Sequence, residues 1–336
     1  MQSPITGKQM PLIKEPAVKL NFRKEEFEIT YHHYLCEDSG EHYTTDELDR
    51  INLTQVYNRY REKYGIPFPD EIKEIREMYR ISASKMSEIL GFGANSYRLY
   101  EAGEIPSVAN GRLILAIRHP DNFINQIEAS SHLLTEKEKS KYIERAEQLL
   151  DEQRRNTWEI LLCRHIFKYE NVNEFSGYRK PDYKKIAQII NFFSDRIEYV
   201  FKTKLNKLLF YSDFGYFKLT GYSMTGITYR AIQMGPVPAE YNLLYDKLMD
   251  DELVSVSQIL FDNGNYGEFL TGLHKFDNEL FTPDEINVLN AVVEKLGKLR
   301  TSDIVELSHQ ESAWIKTNED KSLISYPKYA FDLKNI

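Results

Sequence analysis

Cysteine is almost missing from this 336-residue chain. Cys36 and Cys163 are the only two, too few for a disulfide framework, which suits a reducing cytoplasm. No apolar run approaches the roughly 20 residues that a membrane-crossing helix needs. The start, Met1-Gln-Ser-Pro4, has neither the basic residues nor the apolar stretch of a secretory signal. Positive charge is not in excess either. Against 51 Asp and Glu stand 43 Lys and Arg, a net charge of −8, so no segment has the cationic excess of a protein that holds nucleic acid mainly by charge. Residues 181–336 are the most acidic, with 17 Lys/Arg against 22 Asp/Glu, a balance that suits a basic protein partner. Local catalytic signatures are also lacking: there is no phosphate-cradling Gly loop, no His-Glu-x-x-His helix and no nucleophile elbow. The expectation is a non-enzymatic, soluble, cytoplasmic protein without cofactor or membrane partner, divided by its length into two or three domains.

What is present changes character along the chain. Residues 17–22 and 27–35 alternate apolar and polar around Lys24-Glu25-Glu26, which predicts a small β-hairpin. Thr44 to about Lys63 has a helical period, with Thr45 as cap and Leu48, Ile51, Val56 and Tyr60 on one face. Gly65-Ile-Pro-Phe-Pro69 ends it. Ser82 then caps a helix over 83–90, Gly91-Phe92-Gly93 turns the chain, and Asn95 opens a further helix over 96–101. Two short helices joined by a glycine turn predict a helix-turn-helix. Asn95 is placed to reach base edges and Arg98 to reach guanine or phosphate. Lys85 and Ser96 are phosphate-contact candidates, and Tyr97 completes the DNA-binding set, whereas Tyr100 and Glu101 read as packing and helix closure. A formally neutral segment of this kind needs dimerisation to hold DNA firmly.

Residues 119–180 read as a connector, with a capping box at Thr135–Glu138 and a helix continuing towards Trp158 and Leu162; 171–181 is the best domain boundary. Beyond it, Ile186, Ile189, Ile190 and Phe193 mark an amphipathic helix. Lys207 to Tyr222 reads as a buried aromatic helix halted at Gly221. From Tyr229 a short strand is expected, broken by Met234-Gly-Pro-Val-Pro238, which can continue neither helix nor central strand. His309 and Glu311, in Leu307-Ser-His-Gln-Glu-Ser-Ala-Trp314, have no nucleophile clustered beside them and read as hydrogen-bonding core residues.

Several of these stretches carry resemblances. Ser3-Pro-Ile-Thr6-Gly7 and Cys36-Glu-Asp-Ser39-Gly40 flank the hairpin at the spacing of two C-x-x-C-G knuckles. With G-x-G-x-N-x-x-x-x-Y-E-x-G over 91–103, they resemble the zinc ribbon and Xre-type helix-turn-helix of MqsA-type antitoxins, over about residues 1–130. Ser3, Thr6 and Ser39 replace three of the four thiolates. Hydroxyls are poor zinc ligands, so a metal-free relic is expected, with His33, Cys36 and His42 the one conceivable substitute set. Asn95 matches that family's base-reading Asn; its Arg falls at Leu99, one position after Arg98. From Tyr183 onward, the aromatic helix, small-residue turn, strand, Gly-Pro-Val and Leu-Ser-His…Trp resemble the Panacea (SocA-like) domain of bacterial antitoxins. The resemblances imply a homodimeric antitoxin that neutralises a cognate toxin through its C-terminal domain and represses its own operon by binding operator DNA. They make Tyr211, Phe214, Tyr216, Tyr229, Met234 and Pro236 the expected toxin contacts. A transcription regulator with a sensor domain, or an adaptor delivering the toxin to a protease, are the alternatives. The expected architecture is mainly α with small β elements: a degenerate zinc-ribbon hairpin at 1–45, the helix-turn-helix bundle at 46–130, a helical connector at 131–180, and an α-rich Panacea domain with a small sheet at 181–336.

Overall fold

The computed structural model describes residues 1–155, 157–168, 171–261, 264 and 266–336, with the backbone alone for 154–155 and 157–159. The fold is mainly helical with small sheets, as the patterning predicts. β1 (Leu12–Phe22), β2 (Glu25–Leu35) and β3 (His42–Tyr43) form one sheet in that order. The hairpin turn lies at Arg23-Lys24, one residue earlier than the polar run suggests, and both residues have positive φ (48° and 68°). A two-residue turn of this kind matches the twist of its strands but is usually built from Asn and Gly. Arg23 is held there by donating to the carbonyls of Ile105 (2.8 Å) and Pro106 (3.1 Å) and by lying over the Tyr60 ring.

α1 (Asp46–Tyr64) closes the open edge of β2 with side chains instead of a strand. Asn52 accepts from the His32 N–H (2.8 Å) and donates to its carbonyl (3.0 Å). Gln55 does the same for Thr30, at 3.0 and 2.8 Å. The two amides lie three residues apart on one helical face and so match backbone groups two residues apart on the strand. An edge that could recruit a foreign strand is thereby satisfied within the molecule.

The chain resolves into two compact units, and the division passes through the hairpin and α1. One unit comprises residues 1–19, 28–55 and 163–336; the other comprises 20–27 and 56–162. This grouping differs from the expected one in two places. Most of the N-terminal hairpin shares a unit with the C-terminal segment: Lys14 donates to the Phe331 carbonyl (2.8 Å) and the His32 ring meets the Phe331 ring edge-on. The supposed connector is, for its first half, part of the helical bundle of the other unit.

That bundle contains α2 (Pro69–Met78), α3 (Ala83–Ile89), α4 (Ser96–Glu101), α5 (Val108–Ala116), α6 (Pro120–Ala129) and α7 (Glu136–Arg155). Ser82 and Ser107 cap α3 and α5 by accepting from the N–H groups of Lys85 and Asn110. Ile72, Ile75, Tyr79, Met86, Ile89 and Ile114 form one apolar core with Phe123 and Ile127 of α6 and Ala146 and Leu149 of α7. Burying an aliphatic or aromatic side chain contributes about 1.5–3 kcal/mol, so α6 and α7, the latter within the segment expected as a connector, are integral to the bundle. α8 (Thr157–Phe167) follows, over the stretch towards Trp158 and Leu162 where a helix is expected; the Trp158 side chain lies outside the described residues.

In the other unit come α9 (Tyr183–Ser194), α10 (Lys202–Thr220), β4 (Tyr229–Ile232), β5 (Gly235–Pro238) and α11 (Tyr241–Asp250). They are followed by β6 (Val254–Leu260), β7 (Tyr266–Gly272), α12 (Pro283–Leu296), α13 (Thr301–His309), α14 (Ser312–Ile315) and α15 (Tyr326–Tyr329). α10 is the central element, buried along most of its length, and ends where Gly221 takes φ 78°. Such a left-handed cap is open to glycine without strain. The Gly-Pro-Val-Pro run is not a break. It forms β5, antiparallel to β4 with Ile232 opposite Gly235 and Tyr229 opposite Pro238. Prolines fit because β5 is the outer strand of a two-stranded ribbon, where a missing N–H costs no ladder bond.

Candidate functional site

The C-terminal motifs meet around α10. Asp213, fully buried in the middle of this aromatic helix, accepts four hydrogen bonds. The N–H groups of Met224 (2.9 Å) and Thr225 (2.8 Å) donate to Oδ1; the Thr225 hydroxyl (2.6 Å) and the Tyr229 hydroxyl (2.8 Å) donate to Oδ2. Burial raises its carboxyl to about 6, against the lowering effect of these donors. The carboxylate pins the loop between α10 and β4.

Two turns earlier, Lys207 is equally buried and donates to the Pro236 carbonyl (2.9 Å). Burial lowers its amine to about 7. Gly235 has φ 95°, and a Cβ there would lie 2.6 Å from Lys207 Cε and 2.3 Å from the Ser308 hydroxyl. Only a glycine leaves room for this approach, which gives the Gly-Pro-Val signature its physical reason.

The Leu-Ser-His…Trp segment covers the same ribbon from the other side. Trp314 donates from its indole N–H to the Ile232 carbonyl (2.8 Å), and its ring stacks on His309 at 3.9 Å. Burial, first of all, lowers the His309 imidazole below its ordinary value. Glu311 is buried and accepts from the Tyr211 hydroxyl (3.2 Å), the Asn335 amide (2.7 Å) and the Lys334 N–H (3.1 Å). Its oxygens are committed to these structural bonds.

Of the six expected toxin contacts, Tyr211, Phe214, Tyr216, Tyr229 and Pro236 are buried. Phe214 stacks on Tyr326 (4.2 Å), and Phe210 and Phe214 each meet the Tyr229 ring edge-on. These five are core residues here: Tyr211, Phe214 and Tyr216 because α10 is buried along most of its length, and Tyr229 and Pro236 because the β4–β5 ribbon packs against it. Met234, at the tip of the β4–β5 ribbon, is the exposed one, at 48%. Sequence reasoning passed over Lys207 and Asp213 as bonding centres, although two charges inside an aromatic helix were the available signal.

In the helical bundle, Asn95 and Arg98 are exposed and Ser96 is half-buried at the start of α4. Tyr97 is buried: its hydroxyl donates to the Ile72 carbonyl (2.8 Å) and its N–H to the Ser87 hydroxyl (3.0 Å). It therefore anchors α4 against α2 and α3 instead of facing DNA. Lys85 is engaged with Glu88 (2.7 Å) and Glu138 (3.3 Å), and these carboxylates raise its amine. Arg76 holds Glu101 (2.5 Å), in keeping with helix closure. Leu99, where the MqsA-type pattern has Arg, is exposed.

The N-terminal knuckles keep their backbone. Ser3 N–H donates to the Lys8 carbonyl and Gly7 N–H to the Ser3 carbonyl (2.8 and 2.9 Å). Cys36 N–H donates to the Glu41 carbonyl and Gly40 N–H to the Cys36 carbonyl (2.9 and 2.7 Å). The same bond set is thus repeated in both loops. The Ser3 hydroxyl lies 3.2 Å from the Cys36 sulfur and accepts from the N–H groups of Ile5 and Thr6. Hydrogen bonds from Ser3, above all, lower the Cys36 thiol to about 7. One thiol and three hydroxyls do not fit a zinc ion. His33 stacks on His42 at 4.1 Å, and among the described residues no three His, Cys, Asp or Glu side chains are grouped to hold a metal.

Taken together, the C-terminal motifs form a stapled helical module in which the buried Lys207, Asp213 and Glu311 hold neighbouring loops. Residues 205–315 match the family described as antitoxin SocA-like, Panacea domain, which spans α10 to α14. The matched segment therefore contains the staples around Lys207, Asp213, Gly235 and Trp314 and the Tyr211–Glu311 bond, while Lys334 and Asn335, the other partners of Glu311, lie beyond it. No curated protein and no solved structure matches the chain. Among the described residues, no helix is long and apolar enough to cross a membrane.

Proposed function

We propose that this chain is the antitoxin of a bacterial or prophage toxin–antitoxin pair, acting by direct protein binding through its C-terminal unit. The observation that carries the reading is the Panacea match over 205–315, joined to a module whose buried charges all serve packing. A protein whose work is binding needs a rigid surface and no poised nucleophile, and the stapled α10 core supplies rigidity. Co-expression with the product of the adjacent reading frame is expected to restore growth that this product alone arrests. An absence of rescue, with no complex between the purified proteins, defeats the reading.

The same proposal gives the helical bundle the task of binding operator DNA as a dimer. Its contact set is Asn95, Ser96 and Arg98, since Tyr97 and Lys85 are committed elsewhere. Asn95→Ala and Arg98→Ala are each expected to weaken operator binding by about 1–3 kcal/mol, measured by gel shift at fixed salt. Unchanged affinity in both variants removes α4 as the reading helix. Rescue that survives both would show that neutralisation does not pass through DNA.

A further inference from the structure

The side chains of α4 divide sharply into those that hold the helix and those that are free. Tyr97 is bonded to Ile72 and Ser87, and Glu101 to Arg76. Tyr100 accepts from the Asn110 amide (3.0 Å) and meets the Phe92 ring edge-on. What faces outward, beyond the half-buried Ser96, is Asn95 at the helix start, then Arg98 and Leu99.

Asn95 holds the capping position, yet its side chain caps nothing. An asparagine there ordinarily accepts from an N–H of the first turn; this one keeps a donor and an acceptor for an outside partner. Arg98 has no hydrogen bond or ion pair among the described residues. Leu99 is 45% exposed. A lone exposed leucine is ordinary on a protein surface, and it is the position of this one that gives it meaning. Its N–H donates to the Asn95 carbonyl (3.1 Å), which sets it one helical turn beyond Asn95 on the same side, next to Arg98.

The second helix of a helix-turn-helix is the one that enters the major groove. The apolar feature of a base-pair edge there is the C5-methyl of thymine. A free amide fits the N6 and N7 edge of adenine, a free guanidinium fits guanine or phosphate, and an aliphatic side chain fits that methyl. Four residues of helix rise by about 6 Å, against about 3.4 Å between successive phosphates on one strand along the duplex axis. The reach from Asn95 to Leu99 is therefore one or two base steps.

We infer that Leu99 is a specificity residue for operator DNA, packing on the C5-methyl of a thymine one or two base pairs from the base that faces Asn95. The inference rests on the operator-binding reading of the helical bundle and adds a base preference that neither Asn95 nor Arg98 supplies. It also commits the bundle to DNA, since uracil lacks the methyl and side chains cannot read the narrow major groove of an RNA duplex.

The test is a gel shift at fixed salt, using the full chain and a duplex from the region upstream of its reading frame, with each thymine replaced in turn by deoxyuridine. Losing one buried methyl contact is expected to weaken binding about fourfold at a defined thymine. Leu99→Gln should bind thymine and deoxyuridine equally at that position, and Leu99→Met should keep the preference. The scan of the parent needs no variant, so it decides even if a substitution fails to fold. A parent that binds the duplex with no position sensitive by as much as twofold overturns the role of Leu99 and leaves operator binding standing. A folded Leu99→Gln variant that keeps the parent's thymine preference does the same. If that variant also dissociates a dimer in sedimentation, Leu99 belongs to a contact between copies. A parent that binds neither this duplex nor any member of a random DNA pool overturns both the inference and the operator-binding reading.

Discussion

Replacing Asp213 with alanine is expected to lower the stability of the C-terminal unit by about 3–5 kcal/mol, the cost of deleting one partner from a buried charged network. Four donors converge on this carboxylate, and two of them, the N–H groups of Met224 and Thr225, cannot turn elsewhere. For a unit of this size the loss corresponds to a fall in melting temperature of roughly 8–15 °C. Asp213→Asn should cost about half as much. Its amide oxygen can still accept from the two N–H groups, while the hydroxyls of Thr225 and Tyr229 can rotate to accept from its nitrogen. Thermal unfolding of the three proteins separates the cases. If alanine costs less than about 1 kcal/mol, or asparagine is as damaging as alanine, the loop is held by its apolar packing and the staple is incidental.

The second large effect concerns pH. Burial lowers the Lys207 amine from 10.5 to about 7. Between those values the unfolded chain carries a proton at this position that the folded chain does not, so stability rises with pH across that window. Lys207→Met removes the titrating group and keeps the stem. The parent is then expected to gain about 2–3 kcal/mol relative to the variant between pH 7 and pH 9, read from urea midpoints at the two pH values. Near pH 7 the two should differ little, since the variant loses the bond to Pro236 but no longer buries an amine that can charge. Parallel pH profiles would mean that water reaches the amine and that Gly235 is not closed over it.

How far the sequence discloses this structure depends on the range of the forces involved. Ser82, Ser107 and the Thr282–Glu285 capping box mark helix starts that the structure contains, because a cap is settled within four residues. β5 was not legible, since two prolines rule out a central strand and nothing local says that its partner leaves one edge open. The aromatic spacing in α10 foretold burial but not a face: a helix packed all round has no outward side for a period to reveal. Tyr211, Phe214 and Tyr216 fell into the core for that reason. α6 and α7 did carry the signal, with Phe123 and Ile127 four residues apart and Tyr142, Ala146 and Leu149 at helical spacing. The mixed Glu and Lys/Arg along α7 read as a solvated face and left its role open between spacer and dimer helix.

The paired loops around Ser3 and Cys36 have a consequence for how that corner responds to its surroundings. A corner tied by a metal gains stability by mass action, so its strength follows the concentration of the free ion. Bonds from hydroxyl to thiol and from amide to carbonyl are intramolecular, and their contribution does not change when a solute is supplied or withdrawn. With hydroxyls at Ser3, Thr6 and Ser39 and one thiol at Cys36, these loops have a tie that is weaker than a metal's but constant in strength.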